Sequence, residues 1–353
     1  MVSYCEQCGK EAFLSEQIVS PVFYWGFYWG SLSLSLSSAT ISNWLKLARI
    51  LVSDQHHPAV WSEQATTQRR VLAMTYTAEI SRNNPTCFLF LVDQSGSMAE
   101  QFGGEGGKSK AQGVADAINR LLQTLVFRCA KGEYILDRYY IGVIGYGSEI
   151  RWGFPIEALA GNVLQPVSAI GGNPLRIEER VKRMDDGAGG LMEQRIKFPV
   201  WFEPIAQGKT PMCAAIQAAH GLITDFVRQY PTCFPPIVIN ISDGAANDGH
   251  PGPVSDALRG ITSQDGNVLL LNAHVSACGE RPILFPTHDG CLSDDFSKLL
   301  FYMSSPLPPA MLYQARILEA TVEEGARGFA FNADLASVIM FLNIGTRVDN
   351  NAS

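Results

Sequence analysis

The chain has 353 residues, of which 46% are hydrophobic, which is enough for one large globular domain or two ordinary ones with a sizeable core. Its formal net charge of -7 at pH 7 argues against a general binder of nucleic acids or of anionic membranes. The eight Cys residues are scattered without a compact disulfide framework, and this predicts a reducing, cytoplasmic environment.

The first part of the chain differs in composition from the rest. Residues 1–73 are predicted to be an N-terminal extension outside the main domain, with Met74 as an alternative start of the folded chain. No charged residue lies between Glu16 and Lys46, and the aromatic-rich run 18–30 allows a membrane span as an alternative. The proline and glycines in that run, and the Leu-Ser alternation that follows it, favour a segment outside the membrane.

The most informative stretch is 88–98, where five apolar residues are followed by the pattern Asp-x-Ser-x-Ser. The apolar run predicts a strand that is buried on both faces. Asp93, Ser95 and Ser97 then occupy positions i, i+2 and i+4 of a near-extended turn, so their side chains project to one side. Hard oxygen ligands of this kind suit Mg²⁺. Because the pattern alone is common in serine-rich loops, the metal interpretation needs support from the rest of the chain.

Beyond this turn, helical and extended segments alternate, which predicts a parallel sheet covered on both faces. A helix with one apolar stripe is predicted to begin near Lys108, and a strand at 139–146 is followed by an edge strand at 149–154. The glycine-rich loop 103–107 suggests nucleotide binding as an alternative. Phe102 stands where the first glycine of a phosphate-binding loop belongs, however, and this disfavours it.

An insertion at about 155–208 interrupts the alternation in a domain that is predicted to span 74–353. Its mixed-charge segment 176–186 is typical of a solvated helix face, with a partner surface as the alternative. A turn at 186–190 is expected to lead into an extended apolar segment that ends at Phe202.

Two further polar residues follow the insertion. Thr210 precedes Pro211 at the start of a predicted helix, so its plain interpretation is a helix N-cap. Asp243 closes a buried strand at 237–242. Because ligands bind beyond the carboxyl ends of strands in an open parallel sheet, Asp93 and Asp243 are expected to converge.

The remaining elements complete the predicted sheet and its helices. Asp248 and His250 lie on the loop after Asp243 and are expected either to support a site or to be solvated. The later predicted elements are a strand at 268–275, helices at 294–303 and 309–323, a last strand at 327–331 and a closing helix at 334–344.

In this setting, the segment Asp93-Gln94-Ser95-Gly96-Ser97, Thr210 and Asp243-Gly244 resemble the three-part motif of the von Willebrand factor A (vWA) domain, over about residues 74–345. The resemblance implies an α/β, doubly wound, mostly parallel central sheet with helices on both faces and one antiparallel edge strand. It also implies a metal-ion-dependent adhesion site (MIDAS) with Mg²⁺, or alternatively Mn²⁺ or Ca²⁺. In that site Ser95 and Ser97 would ligate the ion directly, Thr210 directly or through water, and Asp93 and Asp243 mostly through water.

The form of the motif and the cysteine usage resemble stand-alone bacterial vWA proteins of the tellurite-resistance-associated type, which are encoded beside a serine/threonine kinase and a metal-dependent phosphatase. This implies a Mg²⁺-dependent interaction or adaptor module in a bacterial signalling or stress-response complex, whose protein partner offers a Glu or Asp carboxylate. The alternatives are an adaptor subunit of a chelatase or AAA-ATPase complex and a metal-dependent hydrolase. Since nothing in the sequence marks a general base or a phosphate clamp, we do not expect an enzyme.

Overall fold

The structure is a computed structural model that describes residues 3–4, 11–12, 76–102, 107–185, 191–276, 281–318 and 322–345. The chain divides into two compact units, residues 1–66 and 67–353. In the first unit, the strands Ser3–Tyr4 and Glu11–Ala12 pair antiparallel. The predicted boundary after residue 73, the alternative start at Met74 and the aromatic run 18–30 lie outside the described residues and stay predictions.

The second unit alternates strands with helices along the chain, as predicted. The strands are β1 (Thr86–Asp93), β2 (Tyr139–Tyr146), β3 (Ile150–Trp152), β4 (Gln165–Pro166), β5 (Arg176–Asp185), β6 (Leu191–Val200), β7 (Ile237–Ser242), β8 (Leu269–Val275), β9 (Ile283–Leu284) and β10 (Phe329–Ala333). The helices are α1 (Lys110–Cys129), α2 (Val167–Gly172), α3 (Met212–Gln229), α4 (Gly252–Arg259), α5 (Asp295–Met303), α6 (Pro309–Leu318) and α7 (Leu335–Gly345). None of the described helices has the length and apolar character that a membrane span requires.

The central sheet has the strand order β9-β10-β8-β7-β1-β2-β3, and β4 also pairs with β2. Strands β1, β2, β7, β8 and β10 are mutually parallel. The predicted antiparallel edge strand is β3, and the structure adds the short antiparallel strands β4 and β9. The fold is therefore the predicted doubly wound, mostly parallel α/β sheet of the Rossmann-like class.

Strand β1 lies inside the sheet, between β7 and β2, and both of its faces are covered. Phe88 and Phe90 are fully buried in one core layer together with Ile118 of α1. Leu89 and Leu91 point to the opposite layer, where they share a core with Ile216 of α3. A continuous apolar run is the pattern expected of such a strand. The carboxyl end of β1, where the polar residues begin, is thereby placed between its parallel neighbours β2 and β7.

The predicted solvated helix at 176–186 is wrong, because this segment forms β5 of a two-stranded antiparallel hairpin with β6. Charged side chains of β5 make specific contacts with the rest of the unit. Arg180 donates to Asp116 of α1 at 3.0 Å, and its guanidinium lies 3.6 Å from the ring centre of Phe198 on β6. The predicted extended segment before Phe202 is confirmed as β6, whereas the predicted turn at 186–190 lies outside the described residues.

Asn119 of α1 joins the end of this hairpin to the core. Its Oδ1 accepts from the main-chain N–H groups of Trp201 at 2.8 Å and Phe202 at 3.0 Å, and its Nδ2 donates to the carbonyl of Phe202 at 2.8 Å. Asn119→Ala is expected to lower the free energy of unfolding by about 3 kcal/mol, because it leaves buried main-chain groups without partners. Denaturant unfolding measures this. Thr124→Ala on the same helix, which removes only a solvent-exposed hydrogen bond from the hydroxyl to the carbonyl of Arg120, is the control with an expected change within about 0.5 kcal/mol. Equal effects of the two changes would contradict the anchoring role.

Candidate metal centre

Strand β1 ends at Asp93, and the chain turns there into a short 3₁₀ segment, Gly96–Ala99. The Asp93 Oδ1 atom accepts a hydrogen bond from the N–H group of Ser95 at 2.8 Å. The hydroxyl of Ser242, the last residue of β7, donates to Asp93 Oδ2 at 2.7 Å. The carboxylate is therefore fixed between the carboxyl ends of two adjacent parallel strands.

A chain of side-chain hydrogen bonds continues from this point toward solvent. The hydroxyls of Ser95 and Ser97 lie 3.0 Å apart, and Ser97 donates to Asp243 Oδ1 at 2.8 Å. Asp93 is 1% exposed and Ser95 3% exposed, whereas Ser97 is an exposed residue. We call Asp93, Ser95, Ser97 and Asp243 the strand-end cluster. Four of the five residues predicted to form the site therefore meet in one cluster that opens to solvent.

The loop that carries Thr210 is held against the strand-end cluster through the main chain. The N–H group of Gly96 donates to the carbonyl of Gly208 at 3.1 Å. Gly208 has a φ of +90°, and a Cβ at this position would lie 2.3 Å from the main-chain nitrogen of Ser148. Only glycine allows the main chain to approach Ser148 this closely with such a φ. Gly208, two positions before Thr210, therefore determines how closely the Thr210 loop packs against the loop that carries Ser148.

The predicted role of Thr210 as the N-cap of α3 is wrong, because no side chain of its own segment caps the helix. The cap comes from Asp248, whose carboxylate accepts from the N–H groups of Cys213 at 3.1 Å and Ala214 at 2.8 Å. Asn247 holds the main chain of Thr210. With its amide in the orientation that satisfies both partners, it accepts from the Thr210 N–H at 2.8 Å and donates to the Thr210 carbonyl at 3.2 Å. Because Asp248 caps α3, the Thr210 hydroxyl is not used as the helix cap and can serve as a metal ligand.

Lys110, which sequence reasoning missed, lies beside the strand-end cluster. Its Nζ donates to Asp243 Oδ2 at 3.0 Å and to Glu100 Oε2 at 2.7 Å. Burial disfavours the charged amine, but its hydrogen bonds and ion pairs with Glu100 and Asp243 outweigh that effect and raise the pKa of Lys110. The contact joins residues 133 positions apart in the chain, so no local pattern could indicate it.

The carboxylate of Asp93 has a different environment from that of Asp243. Its hydrogen-bond donors are the neutral groups of Ser95 and Ser242, and it makes no ion pair within the part of the chain that the structure describes. Burial raises the pKa of Asp93 to about 6, against the lowering effect of those hydrogen bonds, and the charge of Asp243 adds to the rise. A buried carboxylate without a cationic partner is a favourable place for a bound cation.

The residues present are compatible with a hard divalent ion. The strand-end cluster and Thr210 offer carboxylate and hydroxyl oxygens, which are the donor type that Mg²⁺ prefers. No group of three or more His, Cys, Asp or Glu residues that could hold a metal occurs among the described residues. A metal at this position would therefore depend on the hydroxyls of Ser95, Ser97 and Thr210 as well as on the two aspartates.

The fold and the strand-end cluster define a doubly wound α/β domain with a polar cluster at the carboxyl ends of its central strands. No protein-family model matches the chain, and no curated protein matches it. Among solved structures, the pilus adhesin SpaC from Lactobacillus rhamnosus GG is similar at 11% identity with a TM-score of 0.40, over 76% of this chain and 31% of that chain.

A second similar protein is the type V pili tip protein Mfa5 from Porphyromonas gingivalis. Its vWF domain matches at 15% identity and a TM-score of 0.25, over 46% of this chain and 39% of that chain. A structure of three N-terminal domains of Mfa5 matches at 14% identity and a TM-score of 0.25, over 46% of this chain and 20% of that chain. The matches thus cover less than half the length of each of these solved structures.

Proposed function

We propose that this chain is a Mg²⁺-dependent protein-binding module in which the strand-end cluster and Thr210 hold the ion as a MIDAS. The observation that supports this most strongly is the hydrogen-bonded series from Asp93 through Ser95 and Ser97 to Asp243, in which Ser97 is the residue exposed to solvent. It gathers oxygens from the loops after β1 and β7. The ligand of the module is a Glu or Asp carboxylate of another protein.

The chemistry of the donor set favours an acidic ligand. Mg²⁺ takes six oxygens and normally keeps several waters, so the protein side chains leave positions for an external ligand. The hydroxyls are neutral, and Asp243 already shares its charge with Lys110. The ion therefore keeps a net positive charge, and an external carboxylate is a better ligand than a neutral group.

The proposed setting is an adaptor role, without catalysis, in a bacterial cytoplasmic signalling or stress-response complex. The partners would be a serine/threonine kinase and a metal-dependent phosphatase, as for the tellurite-resistance-associated type that the motif resembles. The described cysteines include the buried free thiols Cys87 and Cys233, and burial raises the pKa of both. Buried thiols of this kind fit a reducing compartment.

Isothermal titration of the full chain with Mg²⁺ tests the proposed site. We expect one binding site in the wild type and at least about tenfold weaker binding after the double change Ser95→Ala and Ser97→Ala, because both direct hydroxyl ligands are lost. Ser148→Ala removes an exposed hydroxyl from a neighbouring loop and serves as the control, with unchanged affinity. A flat wild-type titration, or an unaffected double variant, would refute the assignment.

Lys110→Met is expected to tighten Mg²⁺ binding about tenfold, because the amine competes with the ion for the charge of Asp243. Lys108→Met is the matched control. Lys108 lies two positions earlier and pairs with Asp116, outside the strand-end cluster, so its removal should leave the affinity unchanged. The same titration measures both variants, and weaker binding by Lys110→Met would show that the lysine does not oppose the ion.

A further inference from the structure

The hairpin of β5 and β6 exposes apolar side chains on the face that points away from α1. Alternate residues of a strand point to opposite faces. Phe198 and Val200 are buried and Arg180 reaches α1, so the even-numbered positions face the protein at this end of the hairpin. On the other face, Ile177 is 60% and Val181 is 58% exposed. A long strand with exposed apolar side chains is a typical site of association with another chain.

Each strand of the hairpin also has one edge without a neighbouring strand in the described part of the chain. Pro199 indicates which main-chain groups lie along these edges. Proline has no N–H group, and within a strand it is found where that group would point away from the partner strand. Pro199 is paired with Ile177, so the main-chain groups of the odd-numbered residues of β5 point to its free edge.

The free edge of β5 is better suited to pairing than that of β6. On the exposed face of β6, the residues opposite Glu179 and Val181 are Lys197 and Arg195. Basic side chains on an edge strand oppose its pairing with another copy of the same edge. Pro199 also removes one hydrogen-bond donor from the edge of β6. The two exposed apolar side chains belong to β5 instead.

The sequence of β5 is complementary to itself when two copies run antiparallel. A twofold axis through Glu179 places Ile177 of each copy opposite Val181 of the other. The same register places Glu178 opposite Arg180, so an apolar pair and an opposite-charge pair each form twice. Moving the axis by one residue would oppose either Glu178 or Arg180 to its own copy, which is unfavourable. The outward main-chain groups of the odd-numbered residues then meet each other, as an antiparallel ladder requires.

We propose that the free edge of β5 is an interface between two copies of this chain, whose hairpins join into one four-stranded antiparallel sheet. An isolated two-stranded hairpin is marginally stable, and additional strands stabilise it. The unfavourable contact in this register lies between the two Glu179 carboxylates at the axis. Each of them lies 3.7 Å from Arg195 of its own chain in an exposed pair that offsets little of this repulsion. The dimer is therefore expected to be weak and to depend on concentration.

Analytical ultracentrifugation of the full chain from micromolar to millimolar concentration tests the interface. We expect the weight-average mass to rise from 38.6 kDa toward twice that value, in EDTA as well as in Mg²⁺. Val181→Lys is expected to abolish the rise, because it replaces one side of each apolar pair with a charge. Glu179→Gln should strengthen the association about threefold, since it removes the repulsion at the axis. Tyr313→Lys changes an exposed side chain of α6 and is the control, with unchanged association.

A wild-type chain that stays monomeric at millimolar concentration would overturn the pairing and leave this edge to a different protein. Association that requires Mg²⁺, or that Val181→Lys and Tyr313→Lys weaken equally, would overturn it as well. None of these outcomes bears on the metal centre, because the hairpin supplies none of its proposed ligands.

Cysteine substitutions test the register. Residues of a hydrogen-bonded antiparallel pair have Cα atoms about 5.5 Å apart, which a disulfide can span. Glu179→Cys should therefore form a disulfide-linked dimer under mild oxidation. Val181→Cys should not, because its counterpart lies about 13 Å further along the partner strand. The wild type, with its exposed thiol Cys291, controls for oxidation of native cysteines. Equal crosslinking of the two variants, or none in either, would overturn this pairing.

Discussion

Asp93→Asn is expected to stabilise the metal-free protein by about 3 kcal/mol at pH 7.5 and to abolish its response to Mg²⁺. The gain arises because burial raises the pKa of this carboxyl from 3.8 to about 6, so keeping it ionised in the folded protein is unfavourable at neutral pH. Asn retains the bonding pattern. Its Oδ1 accepts from the Ser95 N–H, and its Nδ2 donates to the Ser242 hydroxyl, which then donates to the carbonyl of Gly244.

The effect of Asp93 on stability has the opposite pH dependence from that of most carboxyls, because folding raises its pKa instead of lowering it. The folded protein binds the Asp93 proton more tightly than the unfolded chain does, so the protonated group stabilises the fold at acid pH. That contribution declines as the pH rises from about 4 and is lost once the pH passes about 6. In EDTA, the difference in unfolding free energy between Asp93→Asn and the wild type should therefore grow between pH 4.5 and 7.5. Denaturant unfolding at several pH values measures it.

Asp116→Asn is the matched control, since Asp116 is 2% exposed but pairs with Lys108 and Arg180. Loss of its charge is expected to destabilise the fold and to leave the response to Mg²⁺ intact. A destabilised Asp93→Asn variant in EDTA would show that the buried carboxylate is compensated in the metal-free protein. A Mg²⁺-dependent rise in its thermal midpoint would show that Asp93 has no part in binding.

Thr210→Val is expected to weaken the affinity for Mg²⁺ at least about tenfold while the protein stays folded. Val has nearly the same shape as Thr but lacks the hydroxyl, and the main-chain bonds between residue 210 and Asn247 do not depend on the side chain. Calorimetric titration with Mg²⁺ and the thermal midpoint in EDTA measure the two effects separately.

Thr210→Ser keeps the hydroxyl and is the control for this change, with affinity close to that of the wild type. If Thr210→Val and Thr210→Ser bind Mg²⁺ equally well, the hydroxyl is not a ligand. The proposed centre would then be limited to the strand-end cluster.

Much of the fold could be predicted because the central strands are buried on both faces. The predicted strands at 139–146 and 237–242 agree with β2 and β7 to the residue, since continuous apolar runs bounded by turns leave little ambiguity. The predicted ends of the helices agree less well with the structure than the predicted ends of these strands. The helix predicted at 309–323 is described as α6 over Pro309–Leu318, and α4 at Gly252–Arg259 was not predicted.

The strand conformation of β5 and its pairing with β6 could not be predicted, for a physical reason. Ile177 and Val181 are four residues apart, which imitates the apolar stripe of a helix, yet both side chains are about 60% exposed. The segment is held by the contact of Arg180 with Asp116, between residues 64 positions apart. A local pattern contains no information about such a contact.

The convergence of Asp93, Ser95, Ser97 and Asp243 could be predicted because all four lie at or just beyond the carboxyl ends of strands that share one edge of the sheet. The residues that arrange the centre could not. Asn247 and Asp248 hold the Thr210 loop and the start of α3, and Lys110 reaches Asp243 from the first residue of α1. Their roles depend on tertiary packing.

The most direct test of the metal centre is a crystal structure of the full chain soaked with Mn²⁺, read from anomalous difference density. We predict one peak within about 2.2 Å of the hydroxyl oxygens of Ser95 and Ser97, with Thr210 and the two aspartates around it, directly or through water. Density that lies elsewhere, or no density at this position at millimolar Mn²⁺, would contradict the account.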